Sequence, residues 1–199
     1  MSSNQKLIVF AQEYLKKQPF DIVHDLKHHQ LVVTNCMDII REEKLTPDAE
    51  VVITSAWWHD VEKSYKSANS ADSTVSFLKK IAREMHIDPA FVDQCVHTIL
   101  QHSFRQSQTT LEGKILFDAD KIEYVNDGRI AKLMNDFLTH PGKYPIDKLQ
   151  EIHDLWVARI KKVPDMMHFA YSKKIFLTKV KATENILDKL QKAIDSEIH

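Results

Sequence analysis

Glycine is nearly missing from this chain, with 3 residues in 199. A Gly-rich phosphate loop, a dinucleotide fingerprint and a tightly turning β-sandwich all use glycine where φ is positive or where backbone meets phosphate, so all three are excluded. Cysteine is scarce too. Cys36 and Cys95 both lie in apolar helical contexts and read as buried thiols of a reducing compartment rather than a disulfide frame. The expected location is the cytoplasm. Net charge is also small, -1 from 27 basic and 28 acidic residues. The chain as a whole therefore offers no cationic field for a nucleic-acid polymer or an anionic membrane, and neither is expected as a partner. Long apolar runs are absent as well. The opening MSSNQKLIVFAQEYLKK lacks a basic start and is interrupted by Gln12 and Glu13, so neither a signal peptide nor a membrane span is expected. What the chain does have is 11 histidines.

A chain of this length buries roughly 70% of its unfolded surface and needs neither a metal nor a disulfide merely to fold. Its patterning is helical throughout, and the expected fold is all-α, one domain over residues 1–199. Apolar residues at three-to-four spacing predict helices from about Asn4 to Lys17 and from about Asp25 to Lys44. Thr46-Pro47-Asp48 reads as a helix start, with Thr46 as N-cap and Pro47 in the first turn. The helix it opens, VVITSAWWHDVEK to about Ser64, is apolar on nearly all sides and is expected at the centre of the fold. Further helices are expected from Ser70 to His86 and from Pro89, capped by Asp88, to about His102. HSFRQSQ, residues 102–108, reads as a polar loop. Thr109 and Glu112 are expected to form a reciprocal capping box for the helix that carries KILFDADKIEYV. Asn126-Asp127-Gly128 breaks or kinks that helix. Helices over Arg129 to Thr139, Ile146 to Lys161 and about Tyr171 to Ser196 follow, separated by HPGKYP and VPD.

Four positions of metal-ligand type are expected to be buried on three different helices: His28, the adjacent His59 and Asp60, and Asp120. A lone histidine on an apolar helix is commonly a core residue. A buried carboxylate beside it changes the argument, because an uncompensated charge in an apolar interior costs several kcal/mol. A shared divalent cation would compensate both carboxylates at once. His24 is a rival first ligand, since four residues from His28 places both on one helical face, while His29 points about 100° away. Glu62 and Lys63 follow His59 by three and four residues and are expected on its face of the helix. There, Glu62 would orient or deprotonate a water and Lys63 would hold a phosphate. Trp57, Trp58 and Trp156 are expected in the core.

The ordered set His28…His59-Asp60…Asp120, in the contexts HDLKHHQLVV, AWWHDVEK and HSFRQSQTTLEGKILFDADKI, resembles the H…HD…D signature of the HD-domain superfamily of metal-dependent phosphohydrolases. The last context is similar to small bacterial HD proteins that hydrolyse nucleotides, including pyrophosphohydrolases. The resemblance runs from about residue 21 to 132, with a helical flank over about 143–199. It implies His28, His59, Asp60 and Asp120 as ligands of one divalent ion (Mn, Fe, Co, Ni, Zn or Mg), and favours His28 over His24 as the first. His24 then becomes a substrate group. His102 is implied as a proton donor or phosphate contact, with Arg105 beside it, and Lys121 as a phosphate contact that competes with a salt bridge to Asp118. His97, five residues before His102 and so about 140° away on a helix, is expected in the core. The implied function is hydrolysis of phosphate ester or anhydride bonds in a small phosphorylated molecule, a nucleotide above all. Homodimerisation is compatible with this. Alternatives are an alarmone (ppGpp) hydrolase, whose acidic pair HDVEKS does not reproduce, an HD-type di-iron oxygenase, and a non-catalytic metal-binding sensor.

Overall fold

The computed structural model describes residues 3–17, 24–62, 70–140 and 145–198. Among them are nine helices and no strand: α1 (Ser3–Lys17), α2 (Leu26–Glu42), α3 (Ala49–Trp58), α4 (Ser70–Glu84), α5 (Pro89–Gln101), α6 (Leu111–Tyr124), α7 (Asp127–Thr139), α8 (Ile146–Met166) and α9 (Ala170–Ile198). None of these helices is long and apolar enough to cross a membrane. The chain forms two compact units, one up to Asp120 and one from Lys121 onward.

In the first unit α3 is central, packed against α1, α2 and α5. Its sequence explains this: Val51, Val52, Thr54, Ser55, Ala56, Trp57 and Trp58 are all buried, leaving little polar face for solvent. Trp58 is fully enclosed and donates its indole N–H to the Leu7 carbonyl at 3.1 Å, which locks α1 onto α3. Trp57 is also in the core, as expected, and so are the free thiols Cys36 and Cys95. In the second unit α9 packs against α7 and α8. There the buried Trp156 donates to the Tyr124 carbonyl at 3.1 Å, and Thr183 donates to the Val125 carbonyl at 2.9 Å.

Several helix boundaries differ from the sequence expectation. Thr46 does not cap α3. Asp48 does, accepting from Val51 N at 3.1 Å, because its carboxylate reaches an orphan N–H of the first turn. Thr109 and Glu112 form no capping box. Thr110 Oγ1 accepts from Gly113 N at 3.1 Å, while Glu112 accepts from Asp48 N at 3.0 Å and so ties the start of α6 to the start of α3. A side chain outside the helix completes the cap, since Gln101 Oε1 accepts from the backbone N–H of Thr109 and of Thr110. Gly113 makes room for it: a Cβ there would lie 2.5 Å from Gln101 Oε1. Asn126 breaks the chain cleanly between α6 and α7, capping α7 by accepting from Gly128 N. Val163-Pro164-Asp165 does not end α8, which continues through Pro164 to Met166.

The shortage of glycine shows at two helix ends. After α2 and after α4 the chain turns through left-handed residues that are not glycine, Lys44 and His86, both with φ of 53°. Around His86 the amides of residues 86 and 87 reach back to the carbonyls of Arg83 and Ala82, the paired bonds of a Schellman stop. An L-residue pays about 1–2 kcal/mol for this conformation, partly balanced by the greater entropy glycine would have in the unfolded chain. His86→Gly is therefore expected to stabilise the protein by about 1 kcal/mol and raise the melting temperature by about 2–4 °C, measured by thermal denaturation.

Candidate metal centre

Asp25 caps α2 and accepts from His28 N at 2.9 Å, which fixes His28 in the first helical turn. His24 precedes that cap. It is therefore not on a helical face with His28, and the pairing expected from their spacing does not form by that route. α3 ends sooner than expected, at Trp58, so His59 and Asp60 lie in the turn beyond it. In that turn His59 Nδ1 donates back to the Ala56 carbonyl at 2.8 Å. Val61 N then closes a tighter bond to the Trp58 carbonyl. His102 repeats the device at the end of α5, with its Nδ1 donating to the Ile99 carbonyl. Because a carbonyl can only accept, Nδ1 of each ring carries a hydrogen, and Nε2 is the nitrogen left to face the centre.

These devices aim the side chains at one place. One donor atom each from His28, His59, Asp60 and Asp120 falls within 4.8 Å of the others. His28 Nε2 and His59 Nε2 are 3.1 Å apart, and Asp120 Oδ1 lies 3.6 Å from the first and 3.8 Å from the second. Asp60 Oδ2 lies 3.7 Å from His59 Nε2. All four residues are buried, none more than 7% exposed. Asp120 is held in register with α2 by Asn35, which donates to the Ala119 carbonyl at 3.2 Å.

Two carboxylates in such a setting demand compensation, and the donor set fits a divalent cation on two counts. Its spread is about twice a nitrogen or carboxylate bond length of ~2.1 Å, and mixed imidazole and carboxylate donors suit a first-row divalent metal or magnesium. Burial drives the His59 pKa down to about 4, against the opposing pull of Asp60 and Asp120. His59 is thus neutral at pH 7, the form that can donate a lone pair. The C-terminal ends of α3 and α5 also direct their negative dipole ends toward this region, which favours a cation.

Two further histidines reach Asp60. His24 Nε2 lies 3.7 Å from Oδ2 and His102 Nε2 lies 3.5 Å from Oδ1. Arg105 is exposed in the loop after α5, where its amide is held by Ser103 Oγ at 3.2 Å. That loop is pinned by Gln108, which donates to the Gln101 carbonyl at 2.8 Å. Lys121 is buried and begins the second unit. Glu62 is not on a helical face with His59, because α3 has already ended; it accepts a hydrogen bond from Tyr14 Oη, and its amide donates to Thr74 Oγ1 at 3.2 Å. Lys63 lies outside the described residues. His97 is exposed on α5 and is not the core residue expected. Sequence reasoning missed two supports. Gln101 is a polar residue in an apolar helix, and that mismatch was its available signal. His29, fully buried against His59, was hidden by its place on another helical face.

For the metal-free protein the His59 shift has a direct consequence. Unfolded His59 binds a proton near pH 6.5 and the folded residue only near pH 4, so the unfolded state holds more protons between these values. Its contribution to stability is whole above pH 6.5, falls as the pH drops to about 4, and levels off below. Urea midpoints measured across this window should fall with pH in the wild type and fall less steeply in His59→Gln.

A family model for the HD domain matches residues 21–125. Among solved structures the chain is similar to a protein from an uncultured Thermotogales bacterium, described as a predicted HD superfamily hydrolase. The two are 20% identical over 95% of this chain and 91% of that one, with a TM-score of 0.59. It is also similar to Bacillus subtilis YpgQ, solved in complex with ADP, at 19% identity over 96% and 97% of the two chains and a TM-score of 0.65. A Lactobacillus plantarum protein is 15% identical over 98% and 97%, with a TM-score of 0.69. At these identities the likeness shows a shared fold. No curated protein matches the chain.

Proposed function

This chain belongs to the HD-domain family, a superfamily of metal-dependent phosphohydrolases, and from that premise we propose that it hydrolyses phosphate ester or anhydride bonds of nucleotides. The observation that carries the proposal is the convergence of His28, His59, Asp60 and Asp120 within 4.8 Å in a buried centre. The fold it shares with a protein solved in complex with ADP makes nucleotides the first substrates to test.

A divalent cation bound by these four residues supplies a Lewis acid that polarises a phosphoryl oxygen and lowers the pKa of water. The remaining work falls to side chains. His24 and His102 flank Asp60 on its two oxygens, so each can meet phosphate at the edge of the centre. His102, with its Nδ1 bound to the Ile99 carbonyl, would use Nε2 to pass to the leaving oxygen the proton given up by the attacking water. His24 holds a phosphoryl oxygen as a donor. Lys63 and Arg105 would offset charge on the phosphate. The expected partner is thus the small phosphorylated substrate, in a reducing cytoplasmic setting.

Metal analysis followed by a panel of nucleoside mono-, di- and triphosphates and ppGpp, read as phosphate against pyrophosphate release, tests the proposal. His59→Ala, Asp60→Ala and Asp120→Ala should each lose bound metal and reduce turnover by at least about 100-fold. Full activity in any of them would refute the site. If Asp120→Ala loses metal but the wild type turns over nothing with any ion, the chain is a metal-binding sensor. His102→Gln should keep its metal while kcat falls by about 10²–10⁴.

A further inference from the structure

His29 is not one of the four converging donors, yet it is completely buried against them. Its ring centroid lies 4.8 Å from that of His59 and 5.4 Å from that of His28. Its Nδ1 sits 3.4 Å from the Ala56 carbonyl oxygen, the same atom that accepts the His59 Nδ1–H at 2.8 Å. One carbonyl oxygen carries two lone pairs and can serve both rings. Nδ1 of His29 therefore bears its hydrogen, which leaves Nε2 as a bare acceptor, and this Nε2 is buried with no hydrogen-bond partner among the described residues. An unmatched buried acceptor is destabilising. An apolar side chain of similar size would fill the same space without that cost, so space-filling alone does not account for a histidine here.

We infer that His29 is a positioning residue for the metal centre, holding the His59 ring in place through their common Ala56 carbonyl and through direct ring contact. The need for it follows from where α3 stops. His59 stands beyond the last helical residue, so its orientation rests on side-chain bonds, and a swing of the ring would carry Nε2 away from His28 and Asp120. His29 packs against the ring and shares its anchor. The inference rests on the four residues being a metal site, and the test separates the two ideas.

Metal-free wild type, His29→Phe and His29→Asn are titrated with Mn²⁺ by calorimetry, and the melting temperature of each metal-free protein is recorded alongside. His29→Phe is expected to melt at or above the wild-type temperature and to bind Mn²⁺ about 10–100-fold more weakly. His29→Asn keeps an N–H near the position of Nδ1 and should recover most of that affinity. His29→Leu is the apolar member of the comparison if the phenylalanine variant does not fold. Wild-type affinity in a folded apolar variant overturns the role of His29 while leaving the metal site standing. An asparagine variant as weak as the apolar one overturns the shared hydrogen bond. A wild type that takes up no Mn²⁺, Co²⁺ or Zn²⁺ overturns the site and this inference together.

Discussion

The hydrogen bond from the His59 imidazole to the Ala56 carbonyl is the constraint on which the site depends. It ties the imidazole back to the last turn of α3, which ends at Trp58, so that His59 and Asp60 are held in the turn just beyond the helix. It fixes the tautomer, so that Nε2 carries the lone pair. It places that nitrogen 3.1 Å from His28 Nε2, on a helix whose own start is fixed by the Asp25 cap. The same economy recurs at His102 and Ile99. Both times an imidazole just past the end of a helix bonds a carbonyl three residues back, and its Nε2 lies within 4 Å of Asp60.

This arrangement also explains how a chain with so little glycine can manage phosphate. A backbone cradle needs residues that tolerate positive φ and close approach; here the two left-handed helix stops are made by Lys44 and His86 instead. Under the proposed function phosphate would be met by a cation and by side chains, and the four converging donors could hold that cation. The energetic cost is borne by the centre. Two carboxylates and several imidazoles are held out of water, and the apolar packing of α3 against α1, α2 and α5 keeps them there.

The helices themselves were largely legible, because three-to-four periodicity reports which face is buried whatever lies opposite. The Asp88-Pro89 start of α5 came out as expected, since cap and proline act within one turn. Errors gathered where a residue's partner is distant in sequence. Glu112 bonds across to Asp48 rather than back to Thr109, and Gln101 supplies the cap that spacing assigned to a capping box. Pro164 stands inside α8, where local preference called for a break. Glu62 was placed by helical geometry in a stretch where the helix has already ended.

By itself the sequence determined the helical class and the order His28, His59-Asp60, Asp120, because periodicity, the shortage of glycine and the residue types are properties of the chain. It could nominate four donors but not bring them together. Only the tertiary structure decided that they meet within 4.8 Å, that His24 and His102 take the two oxygens of Asp60 while His97 is left in solvent, and that His29 backs His59. The physical reason is that each of these depends on which carbonyl or ring a side chain reaches across the helix packing, and the spacing of residues along one helix carries no information about its neighbours.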